Sequence, residues 1–135
     1  MREVTKVMMC IYRVHKNEAE FYVRYDEDFD RYILLTGHVE SGETLEEAAR
    51  RETDEEINAE ILKIEDLEYS RIVTLQSAMK ISHEHAFFVQ VPDQDYKFLE
   101  GVDDHHWVKL SELSDTLTYD GQKGAIDSIS KILNS

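Results

Sequence analysis

A mixed α/β domain, with helices packed on a mixed β-sheet, is the fold class that this sequence predicts. Three observations point to it. Several segments are rich in β-branched and aromatic residues and alternate as strands do. One acidic stretch carries a helix start signal and a left-handed stop residue, and the C-terminal stretch has apolar residues at helical spacing. No repeat, low-complexity segment or linker divides the 135 residues, so they read as one domain spanning 1–135.

In chain order, "VTKVMMCIYRV" (4–14) and "EFYVRYD" (20–26) read as strands, with "HKNEA" between them as a hairpin connection. "RYILLTG" (31–37) reads as a third short strand ending at Gly37. The loop "HVESGE" follows, with Gly42 giving it turn freedom. Thr44 and Glu47 have capping-box spacing, so a helix should begin at Leu45; Asn58 suits a left-handed stop. "AEILKIEDLEYSRIVTL" (59–75) and "HEHAFFVQVP" (83–92) alternate as strands, the second ending at the only proline, Pro92. "HHWVKLSELSDTL" (105–117) suggests a short strand, a turn and a helical segment. In "GQKGAIDSISKILNS" (121–135), Ala125, Ile126, Ile129, Ile132 and Leu133 mark a helix face.

Composition limits the function. The formal net charge of -14 disfavours nucleic acid and anionic membranes as partners, and the lysines and arginines are scattered along the sequence without a basic run. There is no long apolar stretch and no signal-peptide pattern at the N-terminus, so a cytoplasmic location is expected. The single Cys10 excludes an internal disulfide and reads as a buried strand residue. A polyanionic substrate on so acidic a protein would need divalent cations as a bridge.

Between residues 37 and 59 the chain packs eight carboxylates. On a helical wheel for 45–57, Leu45, Ala48 and Ala49 define an apolar stripe, with Ile57 on its shoulder. Glu46, Glu47, Arg50 and Asp54 spread over the opposite, solvated side. Glu52 and Glu56, however, fall within roughly 20° of Leu45, in the middle of the stripe, and Glu55 lies at its edge. Carboxylates on a packing face cost several kcal/mol unless something positive compensates them. Arg51 can offset one of them but not all three. A hard divalent cation could do so, and a salt-bridged structural helix is the competing reading.

The same stretch resembles the Nudix box, Gly-x5-Glu-x7-Arg-Glu-U-x-Glu-Glu-x-Gly-U, where U is a bulky aliphatic residue. Gly37, Glu43, Arg51, Glu52, Glu55 and Glu56 hold its diagnostic positions at the right spacing over 37–59. Thr53 departs from the aliphatic position and Asn58 from the second glycine. The resemblance implies a single Nudix-type α/β/α sandwich with a mixed β-sheet and a hydrolase that cleaves phosphoanhydride bonds. It implies Mg²⁺, with Mn²⁺ as a substitute, held by Glu52, Glu55, Glu56 and the backbone carbonyl near Gly37. Glu43 would pair with Arg51 to brace loop against helix. The catalytic set would be Glu52, Glu55 and Arg51, with Glu84 in "SHEHAFF" as a second candidate for the base.

The lead-in "LLTGHVESGE" and the downstream "HEHAFFVQVP", "HHWVKLSEL" and "YDGQKGAI" resemble the dATP/dihydroneopterin triphosphate pyrophosphatase branch of that family. The implied reaction releases pyrophosphate from a nucleoside or pterin triphosphate. Arg24 and Tyr32 are the substrate-contact candidates, Arg24 for phosphate or base and Tyr32 for stacking. The alternatives are a dinucleoside polyphosphate or nucleotide-sugar hydrolase, and a non-catalytic nucleotide-binding module. Relatives are commonly dimers, so a homodimer is the implied assembly. His83 and His85 have H-x-H spacing, but no third ligand follows them, and "DDHH" (103–106) reads as a surface loop before a core Trp107.

Overall fold

The alternating segments do pair into a sheet. The structure, a computed structural model, describes residues 1–27, 30–96, 105–117 and 120–133. Its strands are β1 (Arg2–His15), β2 (Glu18–Asp26), β3 (Arg31–Ile33), β4 (Leu35–His38), β5 (Lys63–Leu75), β6 (Lys80–Gln90) and β7 (His105–Lys109). The helices are α1 (Leu45–Ile57), α2 (Leu110–Thr116) and α3 (Asp120–Leu133). Sheet order is β3-β2-β1-β6-β5, with β4 also pairing β1 and β7 pairing β2. β1 and β6 run parallel from Arg2↔Lys80 to Tyr12↔Gln90, and the other pairings are antiparallel, so the sheet is mixed as expected.

Side-chain alternation divides the core into two layers. Met8, Cys10, Phe21, Val23, Ala86 and Phe88 pack with Leu113, Leu117, Ala125 and Ile129, on the side of α2 and α3. Val7, Met9, Ile11, Tyr22, Phe87 and Val89 pack with Ala48, Ala49 and Ile57 of α1. Helices on both faces make this an α/β/α sandwich. Cys10 is fully buried, and burial pushes its thiol up to about 12, so it acts as an apolar residue. No helix among the described residues is long and apolar enough to cross a membrane.

The local signals hold in detail. Lys16 and Asn17 both take positive φ (50° and 65°), the two-residue hairpin turn that suits the twist of β1 and β2. Thr44 caps α1: the Glu47 N–H donates to its Oγ1 at 3.1 Å, and its own N–H donates to Glu47 Oε1 at 2.9 Å. Asn58 ends the helix at φ 48°, ψ 51°. Thr44→Ala should therefore cost about 1 kcal/mol of stability, read as a lower denaturation midpoint at unchanged slope.

Several local expectations need correction. "RYILLTG" is two strands rather than one, because Leu34 leaves the ladder: its N–H and C=O bond instead to the Gln122 side-chain amide of α3, at 2.9 and 3.2 Å. β5 begins only at Lys63 and bulges between Asp66 and Ser70, where Glu68 takes φ 55°. No turn separates β7 from α2. His105 and His106 open β7 rather than lying in a loop, while residues 103–104 fall outside the described residues. On α3, Ala125 and Ile129 are buried as expected, but Leu133 is exposed. Trp107 is half-buried, its ring centroid 5.7 Å from Tyr22 and 5.8 Å from Tyr96, with Arg13 Cζ 4.4 Å from its own centroid.

Candidate active site

The site grows from the buried face of α1. Ala48, Ala49, Thr53, Glu56 and Ile57 are its buried residues, against a core made by β1, β4 and β6. Thr53 fits a position that favours an aliphatic because its hydroxyl donates to the Ala49 carbonyl at 2.8 Å, leaving its methyl to pack. Glu46, Glu47, Arg50 and Asp54 are exposed, as the wheel predicts.

Glu56 is the buried acid of α1, at 8 % exposure. The Tyr22 hydroxyl donates to its Oε2 at 2.8 Å, and Arg24 Nη1 stands 3.3 Å from the same oxygen. Burial first, and then the Glu56 charge, push the Tyr22 phenol well above its ordinary range, so it stays a donor. Glu52 sits directly over Gly37. A Cβ added at Gly37 would collide with Cγ, Cδ and Oε1 of Glu52, so only glycine leaves room there. Burial raises the affinity of Glu52 for a proton, although the adjacent Arg51 opposes this.

Arg51 is the brace. Its Nε and Nη2 donate to the two oxygens of Glu43 at 2.7 and 3.0 Å, and Nη2 also reaches the His38 carbonyl at 2.9 Å. Its Nη1 lies 3.0 Å from Glu52, 3.4 Å from Glu55 and 3.6 Å from Glu40. One arginine thus serves four carboxylates, and Arg24 serves Glu56. Its single charge does not offset all three acids of the packing side: it touches Glu52 and Glu55, while Glu56 turns to Arg24 and Tyr22.

The Arg51 hydrogen bonds hold the Glu43 carboxyl down to about 2. A depressed value means that this contribution to stability is present above the ordinary carboxyl range and is lost as pH falls toward 2. Titration of the Glu43 carboxyl carbon by NMR should show the low value in the wild type. Arg51→Gln should raise it, short of the ordinary range because the Glu40 N–H still donates to Oε1 at 2.9 Å.

Among the described residues, no three His, Cys, Asp or Glu side chains converge as a metal shell. Glu52 and Glu55 turn to Arg51, and Glu56 to Tyr22 and Arg24. The donor chemistry still fits a hard divalent cation: the acids offer only oxygen, and Gly37 keeps Glu52 against the backbone. To hold one, Glu52 and Glu55 would exchange Arg51 for the ion.

Two predicted residues lie elsewhere. Glu84 is buried on β6, on the same strand face as Ala86 and Phe88 and so on the side opposite α1. Arg71 donates to its Oε1 through Nε (2.9 Å) and Nη2 (2.7 Å). Tyr32 meets Tyr25 edge-on at 5.4 Å and packs against the α2/α3 layer. Glu84, Arg71, Lys6, Arg31 and Gln122 line a cavity of about 320 Å³ with Ile33, Val73 and Leu75. Sequence reading missed Tyr22, although it lies two residues before Arg24 and therefore on the same strand face. Nothing in the sequence marks Arg71 as the partner of Glu84. His83 contacts Glu3 at 3.0 Å.

The profile of the NUDIX domain matches residues 7–129. The chain belongs to the Nudix family. It is a Nudix hydrolase, with every diagnostic acid of the box present. No curated protein matches it at the sequence level. Among solved structures it is similar to a Nudix-family protein from Listeria monocytogenes, at 19% identity and TM-score 0.83, covering 96% of this chain and 94% of that one. A Caenorhabditis elegans Ap4A hydrolase in a binary complex follows at 20% identity and TM-score 0.81, with 97% and 98% covered. The dihydroneopterin triphosphate pyrophosphohydrolase of Escherichia coli gives 18% identity and TM-score 0.78, with 100% of both chains covered. At these identities the likeness is one of fold, and the relatives' substrates differ.

Proposed function

We propose that this Nudix hydrolase is a Mg²⁺-dependent pyrophosphohydrolase that cleaves a nucleoside triphosphate, dATP-like, or dihydroneopterin triphosphate and releases pyrophosphate. The observation that carries the reading is the Glu52 carboxylate seated over Gly37, in a loop clamped to α1 by Glu43 and Arg51. Glu52, Glu55, Glu56 and the backbone at Gly37 would hold the ion. Bound there, Mg²⁺ would polarise a phosphoryl oxygen and make a bound water more acidic.

The chain's own groups do the rest. Glu52 is the general base in this reading: a carboxylate oxygen that does not hold the ion accepts the proton of the attacking water. Tyr22 orients Glu56 through its hydroxyl, and Arg24 beside it is placed to meet a phosphate oxygen. Arg51 keeps the loop and the acids in register. We assign the base to Glu52 in preference to Glu84, which is bound by Arg71 on the other side of the sheet. Tyr32 remains a packing residue in this reading. A cytoplasmic location suits a nucleotide substrate and the buried reduced thiol of Cys10, and a homodimer is the assembly expected.

The test is product release across a panel with Mg²⁺: dATP and other nucleoside triphosphates, dihydroneopterin triphosphate, a dinucleoside tetraphosphate and ADP-ribose. Pyrophosphate from a triphosphate supports the proposal. Preferential cleavage of the dinucleotide or ADP-ribose moves the substrate class. Binding without turnover on the whole panel would make the protein a nucleotide-binding module.

A further inference from the structure

Along the sequence the basic residues are scattered, but the sheet register gathers some of them. Arg2 lies opposite Lys80 on β6, and Lys6 lies opposite His38 on β4. Alternation puts Arg2 and Lys6 on the same face of β1 as Met8 and Cys10, and residues paired across a ladder share a face. All four side chains therefore belong to one end of the sheet, on the side away from α1. Lys80 Nζ is 3.2 Å from His38 Nε2, an ammonium donating to an imidazole nitrogen.

Lys80 carries a cost in this cluster, while Lys6 has Glu84 as its own ladder partner. Burial first, and then Lys6 and Arg2, disfavour the charge on Lys80. Glu84 acts the other way on Lys80, but it is already engaged by Arg71. Glu3 projects from the opposite face of β1, where it pairs with His83. Such a gathering of cations, in a chain of net charge -14, is relieved when an anion joins it. Lys6 also lines the cavity that holds Arg71, Glu84 and Asp26, so one member of the patch is shared with it. On β4, Gly37 carries Glu52 on one face, and the next residue, His38, joins the patch on the other.

We infer that Arg2, Lys6 and Lys80, with His38, form an anion subsite for a phosphoryl group of the substrate remote from the bond that is cleaved. Several ammonium and guanidinium donors suit a group with three acceptor oxygens and a double charge better than a carboxylate. The inference rests on the proposed hydrolysis only for what lies at the ligand's other end. Either a terminal phosphate of the chain or an ester phosphate on the non-phosphate part supplies the chemistry.

The experiment is calorimetric titration at low salt in EDTA, with inorganic pyrophosphate and with adenosine 3′-monophosphate as separate probes. Without divalent cations the α1 acids repel both. Saturable binding of either probe is expected in the wild type and in Glu52→Gln. It should weaken about tenfold or more in Lys6→Gln/Lys80→Gln and fade as salt is raised. Lys80→Arg should bind like the wild type. Tighter pyrophosphate assigns the subsite to a chain terminus; tighter adenosine 3′-monophosphate assigns it to an ester phosphate. The double variant should melt no lower than the wild type at low salt, because repulsion is relieved. Absence of metal-free binding, equal binding in the double variant, loss of binding in Glu52→Gln, or a lowered melting temperature would each overturn the inference. Failure of the substrate panel leaves these readings standing.

Discussion

Glu56→Gln should lower kcat by on the order of a hundredfold or more, if the carboxylate holds the metal as proposed, since such a ligand is worth several kcal/mol at a charged transition state. The substitution keeps shape and hydrogen bonding while removing charge. The Tyr22 hydroxyl can still donate to the amide oxygen from its place 2.8 Å away, so the buried end of α1 keeps its anchor. Arg24 loses its counter-charge, but its side chain is 34% exposed and water can take over, so the melting temperature should move little. A lost ligand also predicts that more Mg²⁺ is needed for half-maximal rate. Tyr22→Phe offers a contrast: the charge stays and only its orientation is freed, which should cost about 10- to 100-fold. Pyrophosphate release measured against Mg²⁺ concentration decides the matter. A Glu56→Gln enzyme turning over at nearly the wild-type rate would remove Glu56 from the metal site.

The helix that carries these acids was legible because its signals are local. Thr44 with Glu47, the stripe of Ala48 and Ala49, and Asn58 at the stop all act within a few residues. The anomaly of Glu52 and Glu56 on the packing side could be seen from periodicity alone, before any family resemblance. What escaped depends on contacts between distant parts of the chain. Leu34 breaks its strand because Gln122, eighty-eight positions away, takes its backbone hydrogen bonds. The basic patch exists only because parallel pairing sets Arg2 beside Lys80, and β4 sets His38 beside Lys6. Glu84 stands at the start of the strand expected over 83–92, yet it is buried in mid-strand and bound by Arg71, which no local pattern announces.

Gly37→Ala separates catalysis from folding at a single methyl group. Gly37 is not among the residues of positive φ, so alanine can adopt its backbone, and the pairing with Val7 need not change. The reason for glycine is space, because the new Cβ would stand where Glu52 has its Cγ, Cδ and Oε1. A flexible side chain can swing away at small cost to the fold. It then leaves the position that the proposed chemistry requires, and a displacement of an ångström can cost about 100-fold in rate. The expected result is therefore a large fall in kcat with a nearly unchanged melting temperature. Gly42→Ala should do the reverse. Gly42 has φ +84°, and a Cβ there would meet nothing within 4 Å, so alanine strains the backbone by about 1 kcal/mol without touching Glu52. Equal losses of stability and rate in both variants would mean that Gly37 serves the loop's fold. A selective loss of rate at Gly37 ties the glycine of the box to the placement of Glu52.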